Sequence, residues 1–329
     1  MSNTDGKTNL YTHGRRVLLI GNPVAGGCGL RKIEKAADLI ARRGCKVDIL
    51  PVALEEDPAA FRQRVLAALS ANTVAGAHGP LVVAGGGDGT YNKVANCLIN
   101  TGVPMAILPL GTVSVLAKEL SIPVEPDKAV DIALGANIRT VHLGRITLKQ
   151  SAVSECFLLM AGIGFDGEVV CSVNDRLKKI TGKGAYIAAA LKTLVAYNPP
   201  HIKVSGDMTI IRTGMTDSGY MDLEGHAAII CKSSLYGGRF RVAPGASLTQ
   251  PCFYGFVIHK KTGAAVLRTV LGVLSGRHPE TAGITYFRAA SLKVEGRAHV
   301  QIDGDYLGNT PATIEIVPDS LRLVVGKDY

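Results

Sequence analysis

Apolar runs that alternate with amphipathic stretches dominate the first 140 residues. Four runs are almost continuously hydrophobic, as is typical of strands buried on both faces of a parallel sheet: 15–23, 46–53, 79–87 and 104–112. The segments between them carry apolar residues at helical spacing or begin with a capping residue, as Asp57 does before Pro58. The pattern predicts an α/β domain over residues 16–140, preceded by a flexible tail over residues 1–15.

Shorter segments of alternating polarity, separated by turn residues, fill the second half of the chain. Examples are "HIKVSGDMTIIRT" and "SLKVEGRAHVQIDG". A period of two predicts an antiparallel, sandwich-like β-rich domain over residues 141–329, interrupted by helices at about 176–197 and 263–276. We expect the domain boundary between Asn137 and His142, and the last strand could return to the first domain.

The chain has 329 residues, a formal net charge of +9 and seven cysteines. Its length favours two domains. The basic balance suits phosphates or an anionic membrane, whereas nucleic acid is not expected because no dense Lys/Arg block with interleaved aromatic residues occurs. No cysteine pair has CxxC spacing, which indicates reduced thiols in a cytoplasmic protein without a zinc site. No apolar run reaches membrane-spanning length, so any membrane contact is expected to be peripheral.

Three glycine-rich loops leave the carboxyl ends of predicted strands: 22–29, 85–90 and 109–112. Ligands of α/β sheets bind at these strand ends, and glycine lets backbone N–H groups approach phosphate oxygens without obstruction by a Cβ atom. No loop matches the Walker pattern, and each alone could be an ordinary tight turn. Three such loops in one domain favour a nucleotide or phosphate site.

Asp88 is the one carboxylate in the second glycine loop. Phosphate would repel it unless a cation lay between them, so the residue type points to Mg²⁺, held directly or through water. The same carboxylate could instead orient or deprotonate an attacking hydroxyl. The alternative is a turn-forming or helix-capping aspartate, because a helical pattern follows at once.

Six blocks, in this order along the chain, resemble those of the diacylglycerol kinase-like lipid kinases, which include bacterial diacylglycerol kinases, sphingosine kinases and ceramide kinases. They are "NPVAGGCG", "GGGDGTYNKVANCL", "LPLGTVSVLAKEL", "AGIGFDGEVV", "YGGRFRVAPGASL" and "QIDGDYLG". The resemblance runs from about residue 16 to near the C-terminus. The GGDGT motif is shared with NAD kinases and is only moderately specific, whereas the ordered set is strongly specific.

The resemblance implies an enzyme that transfers the γ-phosphate of ATP to a primary hydroxyl of a membrane lipid, of diacylglycerol or sphingoid/ceramide type. ATP would lie in a cleft between the domains, and the second domain would hold the lipid. Asp88 and Asp305 would be catalytic and would hold Mg²⁺. The residues implied in nucleotide binding are Asn22, Pro23, Gly26, Gly86, Gly87, Gly89, Thr90, Gly111, Thr112 and Ser114.

Further residues are implied in binding the lipid. Asp166 could hydrogen-bond the acceptor hydroxyl, although a helix cap is an alternative. Arg176, Lys179 and Lys183 could bind ATP phosphates or anionic headgroups, although for each residue taken singly a solvated helix face is the favoured explanation. Asp305 closes an Asp-Gly-Asp triplet that also reads as a hairpin turn.

Three positions depart from the family pattern. Asp305 stands where the family's triplet ends in Glu, a side chain one methylene longer. Ser114 stands where the third block normally has Asn, which puts nucleotide contacts in doubt because a hydroxyl is shorter than an amide. Gln250 stands where some bacterial members carry an Asp-Gly pair tied to a structural Mg²⁺. Because Mg²⁺ prefers anionic oxygen ligands, the sequence predicts that this structural metal is absent or weak.

Two alternatives to the lipid kinase remain open from the sequence: an NAD kinase-like enzyme, and a catalytically weak lipid-binding regulatory protein. The departures at Ser114 and Asp305 motivate the second. The expected location is cytoplasmic, peripheral to the inner face of the membrane, with anionic membrane contact. A homodimer is compatible with exposed sheet edges in the second domain.

Overall fold

The structure is a computed structural model that describes residues 14–23, 29–53, 56–71, 79–111, 114–177, 198–212, 215–238, 240–274, 276 and 283–329. The chain divides into two compact units. The first comprises Met1–Val141 together with Asp319–Tyr329, and the second comprises His142–Pro318.

Strands and helices alternate through the first unit, as the apolar runs predict. The elements are β1 (Arg16–Gly21), α1 (Gly29–Arg42), β2 (Lys46–Pro51), α2 (Pro58–Ala71), β3 (Leu81–Gly86), α3 (Asp88–Leu98), β4 (Pro104–Pro109), α4 (Val115–Glu119) and α5 (Pro126–Ala133).

Strands outnumber helices among the described elements that follow. These are β5 (Ile138–Leu148), β6 (Ser154–Phe157), β7 (Met160–Ile163), α6 (Phe165–Leu177), β8 (Ile202–Arg212), β9 (Met215–Gly225), β10 (Ala227–Cys231), β11 (Leu235–Tyr236), β12 (Phe240–Arg241), β13 (Phe253–Ile258), α7 (Gly263–Leu274), β14 (Ile284–Ala289), β15 (Ser291–Glu295), β16 (His299–Ile302), β17 (Asp305–Asn309) and β18 (Ala312–Val324).

The sheet of the first unit is parallel, in the order β2-β1-β3-β4. Arg322 and Leu323 of β18 add a fifth parallel strand beside β4. β1 and β3 are buried along almost their whole length, because each has a paired strand on both sides and helices follow it in the chain. Asp57 caps α2, since its Oδ1 accepts hydrogen bonds from the amides of Ala59 and Ala60, both at 3.0 Å.

The strands of the second unit are antiparallel, in the order β17-β16-β7-β10-β13-β14-β8-β15-β18, with β9 beside β8 and β6 beside β5. Their inward-facing apolar residues form one core. In it, the rings of Phe157 and Phe253 stack with centroids 5.9 Å apart. Gly144 leaves room for Phe157, because a Cβ atom at that position would clash with the Phe157 ring. The predicted α/β and antiparallel β-rich architecture is thus confirmed.

Three details differ from the sequence prediction. Helix α5 was not predicted, although Pro126 at its start and the apolar spacing after it are typical of a helix. Helix α6 begins at Phe165, earlier than predicted, and residues 178–197 of the predicted helix lie outside the described residues. Helix α7 matches the prediction at about 263–276. Within the described part of the chain, no helix is long and apolar enough to span a membrane.

Asp303 links the β16–β17 turn by hydrogen bonds to the segment that joins β6 and β7. Its carboxylate accepts hydrogen bonds from the amides of Leu158 (2.8 Å), Leu159 (2.8 Å) and Met160 (2.9 Å). Its backbone is left-handed, with φ of 49°, a conformation that Asp and Asn tolerate better than other non-glycine residues do.

We expect D303A to lower the free energy of unfolding by about 2–4 kcal/mol, because three backbone amides lose a charged acceptor and alanine tolerates positive φ poorly. D303N is the matched control: it keeps one oxygen and tolerates the same φ, so its loss should be clearly smaller. Urea unfolding would measure both, and an unchanged midpoint for D303A would contradict the assigned role.

Candidate active site

The parallel sheet has a switch point between β1 and β3. From β1 the chain crosses to β2 on one side, and it then returns to β3 on the other. Ligands of open α/β sheets bind beyond the carboxyl ends of the strands at such a point. Asn22 and Pro23 follow β1 there, and Gly87 and Asp88 follow β3.

The second and third glycine loops are bonded to each other through one carbonyl. The oxygen of Gly86 accepts hydrogen bonds from the amides of Leu110 (3.1 Å) and Gly111 (2.9 Å), and from the hydroxyl of Tyr91 (2.8 Å). Lys32 of α1 donates to the carbonyl of Leu110 at 2.9 Å. Residues near all three predicted loops therefore belong to one bonded cluster.

Close backbone approach explains two of the glycines. A Cβ atom at Gly86 would lie 2.5 Å from Oγ1 of Thr90, and one at Gly29 would lie 2.6 Å from the carbonyl oxygen of Asn22. Gly87 is the residue before α3, and Gly89 and Thr90 lie in its first turn. Gly26 and Thr112, also predicted to bind nucleotide, lie outside the described residues.

The carboxylate of Asp88 holds the start of α4. Its Oδ2 accepts from the amide of Val115 at 2.9 Å and its Oδ1 from that of Leu116 at 3.0 Å. The alternative of a cap for the helix that Asp88 itself begins is wrong, because Gly87 precedes α3 without any side-chain cap. The first amides of a helix lack intrahelical partners, so a carboxylate placed there stabilises the helix.

Ser114 supports the same helix. Its Oγ accepts from the amide of Ala117 at 3.0 Å and donates to Oδ1 of Asp88 at 3.5 Å. Burial raises the pKa of the Asp88 carboxyl, and the hydrogen bonds from Val115, Leu116 and Ser114 oppose that rise. The serine in place of the family's asparagine therefore has a structural role as the N-cap of α4.

Asp166 lies in the first turn of α6, in the second unit, and only 8 % of it is exposed. Its Oδ1 accepts from the hydroxyl of Tyr236 and its Oδ2 from Nε2 of Gln301, each at 2.5 Å. Gln301 in turn accepts from the amide of Gly304 at 2.8 Å. Burial raises the pKa of the Asp166 carboxyl, and the two side-chain bonds oppose this. Among the described residues, these side chains from other elements hold Asp166, rather than amides of its own helix.

A cavity of about 50 Å³ lies against Asp166 and Tyr236. Its other walls are apolar, including Phe165, Ala227, Ile229, Val242, Phe256 and Ile258. The carboxyl of Asp166 thus lies, with Tyr236, at the wall of a cavity that is otherwise apolar. An apolar space with few polar groups is typical of a site for an apolar ligand whose polar end must be oriented.

The triplet from Asp303 to Asp305 forms a hairpin turn, as its sequence indicates: Ile302 pairs with Asp305, and Asp303 and Gly304 have positive φ. Asp305 is exposed at the start of β17. The sequence predicts this turn, with Asp303 just before the glycine, but it does not predict the three amides that the Asp303 carboxylate binds. Arg176 belongs to α6, and Lys179 and Lys183 lie outside the described residues. In the described ranges, no three His, Cys, Asp or Glu side chains group as a metal site.

A buried lysine contacts the segment around Gln250, where the sequence predicts that a structural Mg²⁺ is absent or weak. Lys232, which is 0 % exposed, donates to the carbonyls of Ser247 (3.0 Å), Gln250 (2.5 Å) and Cys252 (3.1 Å). Burial lowers its pKa to about 8. An ammonium group among three carbonyl oxygens neutralises their dipoles as a metal ion would, and nothing in the sequence pattern "IICKSS" had pointed to it.

Two family models match the chain. The one described as "Diacylglycerol kinase catalytic domain" matches residues 16–146, and the one described as "YegS C-terminal NAD kinase beta sandwich-like domain" matches residues 160–325. An α/β kinase domain followed by a β-sandwich-like domain is also the architecture that the two units show. The fold and the matched models thus define a kinase.

Individual relatives narrow this class. The chain is 26% identical to a diacylglycerol kinase from Mycobacterium tuberculosis, with 94% of each chain covered. It is 33% identical to the "Probable lipid kinase YegS" of Escherichia coli over 73% of this chain and 76% of that one. A crystal structure of a diacylglycerol kinase from Bacillus anthracis shares the fold, with a TM-score of 0.65, 19% identity, and coverage of 95% of this chain and 98% of that chain. The chain belongs to the diacylglycerol kinase-like family of lipid kinases. This membership does not support the alternative of an NAD kinase-like enzyme.

The paired variants D88N and S114A separate the charge of Asp88 from its support of α4. S114A removes one cap and should lower the free energy of unfolding by about 1 kcal/mol while leaving the carboxylate in place. D88N removes the charge and also turns an amide NH₂ toward a backbone N–H, so its loss should be larger, about 1–3 kcal/mol.

Activity measured on the same two variants distinguishes the two roles. If the charge itself matters, D88N loses about 10²-fold or more in turnover and S114A loses far less. Equal losses in both variants would show instead that Asp88 acts only by positioning α4.

K232M should lower the free energy of unfolding by about 2 kcal/mol or more at pH 7, because three buried carbonyls lose their donor. K293M, which changes an exposed lysine of β15, is the matched control and should have little effect. An unaltered unfolding midpoint for K232M in urea would contradict the assigned role of the buried ammonium.

The pH dependence of unfolding gives a second test of Lys232. Its folded pKa is about 8, whereas a lysine in the unfolded chain titrates near 10.4, so the unfolded state binds more protons between these values. The wild type should therefore gain stability relative to K232M as pH rises from about 8 to about 10. A difference that stays flat or falls across this window would contradict the lowered pKa.

Proposed function

We propose that the chain transfers the γ-phosphoryl group of ATP to a primary hydroxyl of a membrane lipid, of diacylglycerol or sphingoid/ceramide type. Membership of a lipid kinase family supports the reaction class. The observation that supports a lipid as the acceptor is the position of the buried Asp166 carboxyl at the wall of an apolar cavity.

The nucleotide part of the proposal rests on the first unit. Backbone amides at Gly86, Gly87 and Gly89 would bind phosphate oxygens, since glycine permits close approach and α3 begins at this point. Gly111, whose amide donates to the Gly86 carbonyl, would line the site. Asn22, Pro23, Thr90 and Ser114 would line the same site, and Gly26 and Thr112 retain their predicted roles. Because the described residues of the second and third loops are already bonded together, little ordering of these residues would be needed when ATP binds.

The donors at this site fit Mg²⁺ through one carboxylate, that of Asp88. Asp88 keeps lone pairs beyond those that its amide bonds use, because a carboxylate has about four acceptor positions. Mg²⁺ is usually held by one or two carboxylates together with substrate phosphates and water, so no larger protein cage is required. Bound there, it would neutralise developing charge on the transferred group. Asp305 is proposed as a second acidic contributor.

The acceptor part of the proposal rests on the second unit. Burial leaves the charge of Asp166 poorly solvated and raises the pKa of its carboxyl, so an incoming hydroxyl would gain a strong hydrogen bond there. The apolar walls would hold the hydrocarbon part of the lipid. Ligand pockets usually measure about 300–1,000 Å³, so the cavity of about 50 Å³ would have to widen when a chain enters. Arg176, Lys179 and Lys183 are proposed to contact phosphates or anionic headgroups.

The proposed place of action is the cytoplasm, at the inner face of the membrane. The net charge of +9 supports contact with anionic lipid.

The first test is transfer of labelled phosphate from ATP, with Mg²⁺, to a mixed lipid extract in detergent micelles, with products resolved by mass spectrometry. We expect one new class of phospholipid, which would also identify the acceptor. Intact ATP binding without any lipid product would contradict the proposal and favour the lipid-binding regulatory alternative.

Variants in the second unit test the acceptor site. D166N should lower kcat/KM for the lipid about 10²-fold, because the amide cannot accept as strongly and turns an NH₂ toward donors. Y236F removes one donor only and should lose about tenfold. D207N, an exposed change on β8 with the same change of charge, is the matched control. Full activity in D166N would overturn the assignment of Asp166.

A further inference from the structure

A cleft with a volume of about 410 Å³ lies at the edge of the first unit's sheet opposite the glycine loops. Its walls include Pro104, at the amino end of β4, and three glycines, Gly79, Gly102 and Gly135. The glycine loops lie at the carboxyl ends of the same strands. A strand of six residues spans about 20 Å, so this cleft and the proposed nucleotide site are separate places on the sheet.

Two guanidinium groups, those of Arg15 and Arg322, are the charged groups among the described residues that line the cleft, and no carboxylate accompanies them there. Arg322 is exposed, and its Nη1 donates to the carbonyl of Gly102 at 3.1 Å. With this one bond among the described residues, Arg322 retains further N–H donors, of the five that a guanidinium carries, for a ligand.

Arg15, the other arginine of the cleft, is unusual in its hydrogen bonding. Its Nε is buried, and among the described residues it has no hydrogen-bond partner. Buried polar groups are almost always paired, so an orphaned donor calls for an explanation such as an ion. Arginine binds carboxylate or phosphate oxygens in pairs through neighbouring N–H groups of one guanidinium, and the Arg15 guanidinium lines the cleft.

We propose that this cleft binds a phosphate-type oxyanion between Arg15 and Arg322. Both cations remain charged at any physiological pH, and the absence of an acidic wall residue within the described lining leaves that charge to be neutralised by a ligand. The volume lies in the range usual for small-molecule sites, about 300–1,000 Å³, so it would admit a small phosphorylated compound or the headgroup of an anionic lipid. These two sources share the chemistry that the arginines recognise.

The test follows hydrogen exchange of the full chain, by mass spectrometry, as inorganic phosphate is added with chloride as the reference anion. We expect phosphate to protect peptides that cover residues 101–104. Peptides that cover residues 86–90 report separately on any phosphate bound at the glycine loops. R322Q should weaken the protection at 101–104 about tenfold or more, because it removes one charge-assisted partner.

R42Q, an exposed arginine of α1 that does not line the cleft, is the matched control and should bind phosphate as the wild type does. R15Q should also weaken binding, but the conclusion rests on R322Q, because Arg15 is partly buried and its loss could disturb folding.

A second arm distinguishes the two sources of phosphate. Wild type, R322Q and R42Q are sedimented with vesicles of phosphatidylcholine alone and of phosphatidylcholine with phosphatidic acid. A selective loss of R322Q from the acidic vesicles supports a lipid headgroup as the ligand. Equal sedimentation, with phosphate protection lost only in R322Q, supports a soluble phosphate. If R322Q matches R42Q in both arms, or if phosphate protects residues 101–104 no better than chloride does, the proposal is overturned.

Discussion

The hydrogen bonds that the amides of Val115 and Leu116 donate to the Asp88 carboxylate are the constraint on which the candidate nucleotide site depends. Glycine loops can approach phosphate closely because they lack side chains, but for the same reason they lack packing that would fix their shape. Asp88 supplies that fixation across two loops, and the Gly86 carbonyl adds to it. A loop ordered in advance loses little entropy on binding, which is the physical basis of catalysis by positioning.

The second unit holds charged side chains in two different ways. The Asp303 carboxylate and the Lys232 ammonium each form hydrogen bonds with three backbone groups. Both therefore stabilise a fixed arrangement of the backbone around them. Asp166 instead is held by the side chains of Tyr236 and Gln301, beside apolar walls. Side chains can reorient more readily than backbone can, so Asp166 is the buried carboxylate suited to accept a new partner.

The fold could be predicted from the sequence because the two hydrophobic periods differ so clearly on either side of residue 140. The position of Asp88 could also be predicted, but its partners could not: Val115 and Leu116 are 27 and 28 residues away along the chain. Local pattern suggested a cap for the next helix, whereas the strand order delivers the carboxylate to a different one. Lys232 was missed for the same reason, because its carbonyl partners lie 15 to 20 residues downstream in a segment without a motif.

The central claim is that phosphates of ATP bind at the carboxyl ends of β1, β3 and β4. A crystal structure of the chain with Mg²⁺ and an ATP analogue that cannot transfer its γ-phosphate tests this most directly. We expect the phosphates against the amides of Gly86–Gly89, with Asp88 still bonded to α4. Density for the analogue at the amino ends of these strands, or bound without contact to the glycine loops, would contradict the account.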